Sequence, residues 1–268
     1  MANSKKVQQA KYLEILIKKI EICRNYKPKF GQGKEVSLEE FQTLYGTDPF
    51  YSWFGMDDSL IYAAHKAAGG ITSLYRQVGI GCEQLFRQIL QDQLGLTNEQ
   101  VRWAYELQAD VGKVRTLSLD GRIEIEDIAS KEYRTKVTDW LTQAVAKKSL
   151  DAKIASALKG AVFEVRQGYK SKDSKRQNAD ISNAGIAYAQ GYLPVVLMLS
   201  TQIDSDVAER YAHAGWLILR GNLDESPISS TYAFCKRVLK YDLAAFLKTN
   251  SMQLKRIVEQ VVESLLKA

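Results

Sequence analysis

Hydrophobic positions recur at near-helical intervals through the first hundred residues. Tyr12, Ile15, Leu16, Ile20 and Ile22 lie among lysines, which predicts an amphipathic helix with a cationic outer face. A break follows at YKPKFGQGKE. Ser37 and Glu40 then have the spacing of a capping box ahead of Phe41, Leu44 and Tyr45, so a second helix starts there. GTDPFYSWFGMDDS reads as a turn-rich aromatic connection, and Ser59 to Tyr75 as a helix interrupted at Gly69-Gly70. GIGCEQLFRQILQDQLGL carries the clearest helical stripe, with Leu85, Phe86, Ile89, Leu90 and Leu94 inward and Gly95 as its stop.

The period then changes. In VRWAYELQAD, Val101, Trp103, Tyr105 and Leu107 alternate with polar residues, as in a strand, although a capping signal at Thr97 and Gln100 favours helix. VRTLSLDGRIEI alternates again, and Asp120-Gly121 between the two runs suits a tight hairpin turn. Helical spacing returns from Ser130 to Lys159, as two helices. A strand (Ala161 to Gln167), a loop and a helix (about Gln177 to Ala189) follow. YLPVVLML is apolar and short enough for a buried strand, and a helix (Ser205 to His213) leads to a last strand, GWLILRG. Strand–helix–strand–helix–strand predicts a parallel, helix-covered sheet. From Met252 onward, Leu254, Ile257, Val258, Val261 and Leu265 share one stripe, an amphipathic helix that docks or dimerises.

The composition, 46% hydrophobic and 25% charged over 268 residues, is that of a globular protein. A net charge of +6 favours an anionic partner. Three widely spaced cysteines, Cys23, Cys82 and Cys235, read as reduced thiols of a cytoplasmic protein rather than a disulfide framework. With two histidines and no CxxC there is no zinc pattern. The longest apolar run, Leu193 to Leu199, is too short to span a membrane, and the N-terminus lacks an apolar signal core. FGQGKE fails the spacing of a phosphate loop, and GIGCEQ has Gln84 where a dinucleotide fingerprint needs glycine. His213 reads as helix surface or a capping donor rather than a catalytic base. Phe50, Tyr51, Trp53 and Phe54 read as packing between helices, with base stacking the alternative.

The chemistry concentrates in AVFEVRQGYKSKDSKRQNADI (Ala161 to Ile181). On a strand, Glu164 and Arg166 share one face while Phe163 and Val165 take the other. A carboxylate beside a cation at a strand end suits a metal-dependent phosphodiesterase, and it also suits a plain ion pair. Arg166, Lys170, Lys172, Lys175 and Arg176 lie within eleven residues, followed by Gln177 and Asn178. Such cations neutralise phosphates, and Arg, Gln and Asn read base edges. Cations crowded between a buried strand and a helix repel one another unless an anion binds.

These residues resemble the PD-(D/E)xK nucleases, especially type II restriction endonucleases. The features that match are the helix opening GxxxExLF (Gly79, Glu83, Leu85, Phe86), the SLD ending at Asp120, the strand with Glu164, the basic loop, the helix and the hydrophobic strand. The resemblance covers about Gly79 to Gly221. It implies an α/β fold in which a mixed central sheet is flanked by helices, preceded by a helical N-terminal region. The expected division is a helical region over 1–78 and a catalytic domain over 79–268 that includes the C-terminal amphipathic helix.

In that family an Asp and a Glu bind Mg²⁺ and a Lys two positions after the Glu acts on the attacking water. Carried over, Asp120 and Glu164 hold the ion, and Arg166 stands where the Lys belongs. Arginine stabilises charge but stays protonated. Lys170 is the alternative cation, roughly 20 Å from Glu164 along an extended strand unless Gly168 turns the chain back. Asp180 is the alternative second acid, because some members carry it on the following helix. The resemblance implies a Mg²⁺-dependent, sequence-specific double-stranded DNA endonuclease acting as a homodimer, with Lys172, Lys175, Arg176, Gln177 and Asn178 on the DNA. The alternative reading is a non-catalytic nucleic-acid-binding protein that uses the basic 166–178 loop.

Overall fold

The structure, a computed structural model, describes residues 2–109, 113–168 and 183–267. In chain order the first elements are α1 (Ala2–Glu21), a 3-10 turn (Ile22–Asn25), α2 (Leu38–Gly46), α3 (Pro49–Trp53) and α4 (Ser59–Leu94). Next come β1 (Trp103–Ala109), β2 (Lys113–Leu119), β3 (Gly121–Glu124), α5 (Lys131–Lys148), α6 (Ala152–Ala157) and β4 (Gly160–Arg166). The chain continues with α7 (residues 183–189), β5 (Tyr192–Met198), α8 (Ser205–His213) and β6 (Leu217–Leu219). It closes with α9 (Thr231–Arg237), α10 (Leu243–Thr249) and α11 (Ser251–Leu266). The chain divides into two compact units, Met1–Gly81 with Lys248–Ala268, and Cys82–Leu247. The C-terminal helix α11 belongs to the unit that begins the chain.

In that first unit Tyr12, Leu16 and Ile20 are buried as their spacing predicts. Ile22 is not, at 55% exposed, because α1 ends at Glu21 and the 3-10 turn brings Cys23 inward instead. Ile20 and Cys23 pack with Leu74 and with Ile257, Val261 and Leu265 of α11, so the inner stripe of that helix docks. The expected interruption at Gly69-Gly70 is absent, and α4 runs through it unbroken. A Cβ at Gly69 would collide with the Tyr26 hydroxyl, and one at Gly70 with the Leu265 methyls. Close approach of neighbours, rather than a break, explains the pair. α4 ends where Gly95 takes a φ of 72°.

The capping box forms as predicted: the Glu40 N–H donates to Ser37 Oγ (3.2 Å) and the Ser37 N–H donates to Glu40 Oε2 (2.8 Å). A hydrogen bond from Lys34, then the Ser37 N–H, pull the Glu40 carboxyl down to about 2. Because the folded value lies below the ordinary one, this carboxylate supports the fold above the ordinary carboxyl range, and that support fades as the pH falls towards 2. An NMR pH titration is expected to show the low value in the native protein and its upward shift in Lys34→Met.

The aromatic connection holds the short α3, whose N-cap Asp48 accepts from the Phe50 and Tyr51 N–H groups. Its rings were expected between helices. Instead Phe50, Trp53 and Phe54 are mostly exposed, Trp53 by 82%, because α3 is a single turn with no buried residue.

The second unit is built on two sheets. β1 and β2 form an antiparallel pair, and the other sheet has the order β3-β4-β5-β6, with β3 antiparallel to β4 and the rest parallel. The fold is therefore mixed α/β, as expected. Both signals near Thr97 are realised, since its capping box with Gln100 closes a turn (Thr97 N–H to Gln100 Oε1, 2.8 Å) ahead of β1. Asp120-Gly121 is not a hairpin turn. The chain passes there from one sheet into the other, β2 pairing with β1 and β3 with β4. β4 and β5 are buried throughout except at Arg166. Phe163 packs against Phe86 of α4, Trp140 of α5 and Phe234 of α9 on one face. Val162, Val196 and Met198 pack with α7 and α8 residues, including Ala184, Ala187, Val207 and Tyr211, on the other.

Candidate active site

Asp120 occupies the single position between β2 and β3. Its N–H donates to the Phe163 carbonyl (2.8 Å), and its own carbonyl accepts from Arg87 Nη1 of α4 (3.1 Å). Gly121 faces Phe163 in the antiparallel register, so Asp120 and Glu164 are the next residues outward on the two chains. Beyond that pair β3 no longer offers a backbone acceptor to β4. The Asp120 carboxylate takes over, and the Val165 N–H donates to its Oδ2 at 2.8 Å. The two predicted acids are thus brought together, one anchored on the amide that follows the other.

Glu164 is 5% exposed and lies on the face of β4 that carries Val162, opposite Val196 of β5. A buried carboxylate needs a compensating charge. Arg166, on the same face and itself largely buried, forms an ion pair with it. The side-by-side arrangement expected from the sequence is present, and so is the plain ion pair weighed beside it.

Lys170, Lys172, Lys175, Arg176, Gln177 and Asn178, and the alternative acid Asp180, are outside the described residues, as is the predicted start of the following helix. α7 is described from residue 183. Glu83, one turn before Arg87, is half-buried on α4.

Three polar residues in this part of the fold were not read as site residues from the sequence. Arg87 holds the Asp120 backbone from a helix whose stripe gave no sign of it. Tyr105 on β1 and Asn183 on α7 are both buried, and the tyrosine hydroxyl donates to the Asn183 side-chain oxygen. Tyr105 shares its core cluster with Val162, which flanks Glu164, Val196, which faces it, and Met198, which faces Arg166.

Among the described residues no three His, Cys, Asp or Glu side chains gather closely enough to hold a metal ion. Asp120 and Glu164 offer two carboxylates, and Mg²⁺ is commonly held by one or two carboxylates with substrate phosphates and waters. Their oxygens are the hard donors that Mg²⁺ prefers, so the residues fit it. Cysteine chemistry is less suited. Burial pushes the Cys82 and Cys235 thiols up to about 12, far from the thiolate that a nucleophile needs near neutral pH. No helix among the described residues is long and apolar enough to cross a membrane. No family model, curated protein or solved structure matches this chain.

Proposed function

We propose that this chain is a Mg²⁺-dependent, sequence-specific double-stranded DNA endonuclease of the type II restriction class. The observation that carries the reading is the Asp120 carboxylate fixed on the Val165 N–H beside the buried Glu164. Asp120 and Glu164 would hold the ion. When bound, Mg²⁺ supplies polarisation of a phosphoryl oxygen and activation of a water for in-line attack on the scissile phosphodiester.

The chain's own residues do the rest. Arg87 holds the Asp120 backbone carbonyl, and the Val165 amide fixes one carboxylate oxygen. Arg166 compensates the Glu164 charge and places a permanent positive charge at the strand end, where negative charge builds on the phosphate. It cannot take a proton from the water, so that proton passes to solvent or to a phosphate oxygen, and Lys170 is the alternative cation for stabilising charge. The segment Lys172, Lys175, Arg176, Gln177 and Asn178 neutralises backbone phosphates and reads base edges. Cutting both strands of a symmetric site takes two copies of the chain.

Incubation with phage DNA, with and without Mg²⁺, tests the reading. Discrete fragments that appear only with the metal are expected. Retarded but intact DNA under every metal condition would favour a binding protein in which Glu164 and Arg166 serve only each other. DNA neither cut nor retarded would overturn both.

A further inference from the structure

The corner formed by α2 and α3 shows large apolar side chains to solvent. Phe50, Trp53, Phe54 and Leu60 are each more than half exposed. Exposed rings gathered in one place mark interaction surfaces more often than single exposed residues do. These rings are held in place. Phe50 packs against Tyr51 and Phe54 (centroids 5.6 and 5.0 Å apart), Tyr51 against Tyr45 (4.7 Å), and Tyr45 against the buried Phe41 (4.6 Å). Asp48 caps α3, and Asp58 accepts from the Leu60 N–H (2.7 Å). A groove of about 650 Å³ on α2, lined by Val36, Glu39, Thr43, Leu44 and Thr47 among others, ends where Thr47 leads into the Asp48 cap.

The charge around the rings runs against that of the whole chain. From Glu35 to His65 the sequence has six acids (Glu35, Glu39, Glu40, Asp48, Asp57 and Asp58) and no lysine or arginine, although the net charge is +6. The Asp57 carboxylate stands against Gly46 at the end of α2, so acid and rings share the corner. Lys34 at the groove pairs with Glu40. Such a field repels nucleic acid and anionic membranes, which argues against base stacking here, and two copies of the face would set acid against acid.

We infer that this corner docks a basic segment of another protein, in which arginine or lysine alternates with apolar side chains. Guanidinium and ammonium groups are attracted both to carboxylates and to the faces of Trp, Tyr and Phe, and the apolar side chains cover the rings. The inference is independent of the nuclease reading, because none of these residues belongs to the Asp120–Glu164 site.

Random peptides displayed on phage, selected on the whole protein and counter-selected on Trp53→Ala/Phe54→Ala, test it. Peptides that need the two rings are expected, enriched in arginine and lysine between apolar residues. One of them, synthesised, is expected to shield Trp53 from acrylamide quenching, a clear signal because Trp103, Trp140 and Trp216 are buried. Its affinity should fall about tenfold or more in the ring variant. It should also fall severalfold in Glu39→Gln/Asp57→Asn/Asp58→Asn, which keeps side-chain oxygens as acceptors and so spares the fold, and it should weaken as salt rises. No ring-dependent peptide, or ring-dependent peptides without basic enrichment, would overturn the inference. So would shielding of Trp53 by a short DNA duplex, by phosphatidylglycerol vesicles, or by the protein itself as its concentration rises.

Discussion

Asp120→Asn is expected to fold as the unaltered protein does and to lose Mg²⁺-dependent DNA cleavage by about a thousandfold or more. The two effects separate because the proposal gives the Asp120 carboxylate a metal-binding role beside its hydrogen bond. One oxygen accepts from the Val165 N–H where β3 gives out, and an asparagine side-chain oxygen can accept that bond equally well. What asparagine lacks is the negative charge that would draw a divalent ion to the strand end. Asp120→Ala removes both, leaving the Val165 amide without this acceptor, and is expected to cost about 1–3 kcal/mol of stability in addition. Urea denaturation and cleavage rates, measured on both variants, distinguish the jobs. An Asp120→Asn protein that cuts at the normal rate would reduce Asp120 to a closure for the sheet.

Arg166→Met is expected to destabilise the protein by about 3–5 kcal/mol, a large effect for one substitution near a strand end. Glu164 is 5% exposed on a face shared with Val162, Val196 and Met198, where an ionised carboxyl has little water around it. The paired guanidinium makes that burial tolerable, and methionine fills much of the same volume without the charge. Glu164→Gln in the same chain is expected to recover most of the loss, because the amide carries no charge to compensate. Stability measured around this cycle should show a strong coupling between the two positions. Simple addition of the two single effects would mean that the ion pair contributes little to the fold.

The elements whose hydrophobic period is long and regular were legible in the sequence. The stripe Leu85, Phe86, Ile89, Leu90 and Leu94 is buried as its spacing predicts, and Tyr192–Met198 forms a buried inner strand. Local signals that serve two physical purposes misled. Gly69-Gly70 has the composition of a break, yet the missing side chains make room for Tyr26 and Leu265 inside an intact helix. Asp120-Gly121 has the composition of a hairpin turn, yet alternation continues across it because the chain only changes sheets. The aromatic rings of 50–54 carry no period long enough to reveal a buried face, and they are largely exposed. At the candidate site, the shared face of Glu164 and Arg166 follows from strand geometry alone. That Asp120 stands beside them depends on pairing between distant segments, which alternation cannot specify; only the resemblance pointed to it. The bond between Tyr105 and Asn183 was hidden for the same reason.

The most direct measurement is the location of manganese, a stand-in for magnesium, by anomalous X-ray scattering from crystals soaked in Mn²⁺. A peak bounded by the Asp120 and Glu164 carboxylates, lost in Asp120→Asn, is the expected result. Well-occupied manganese found only at other places, with these two carboxylates uncoordinated, would contradict a metal-dependent nuclease site at this strand end.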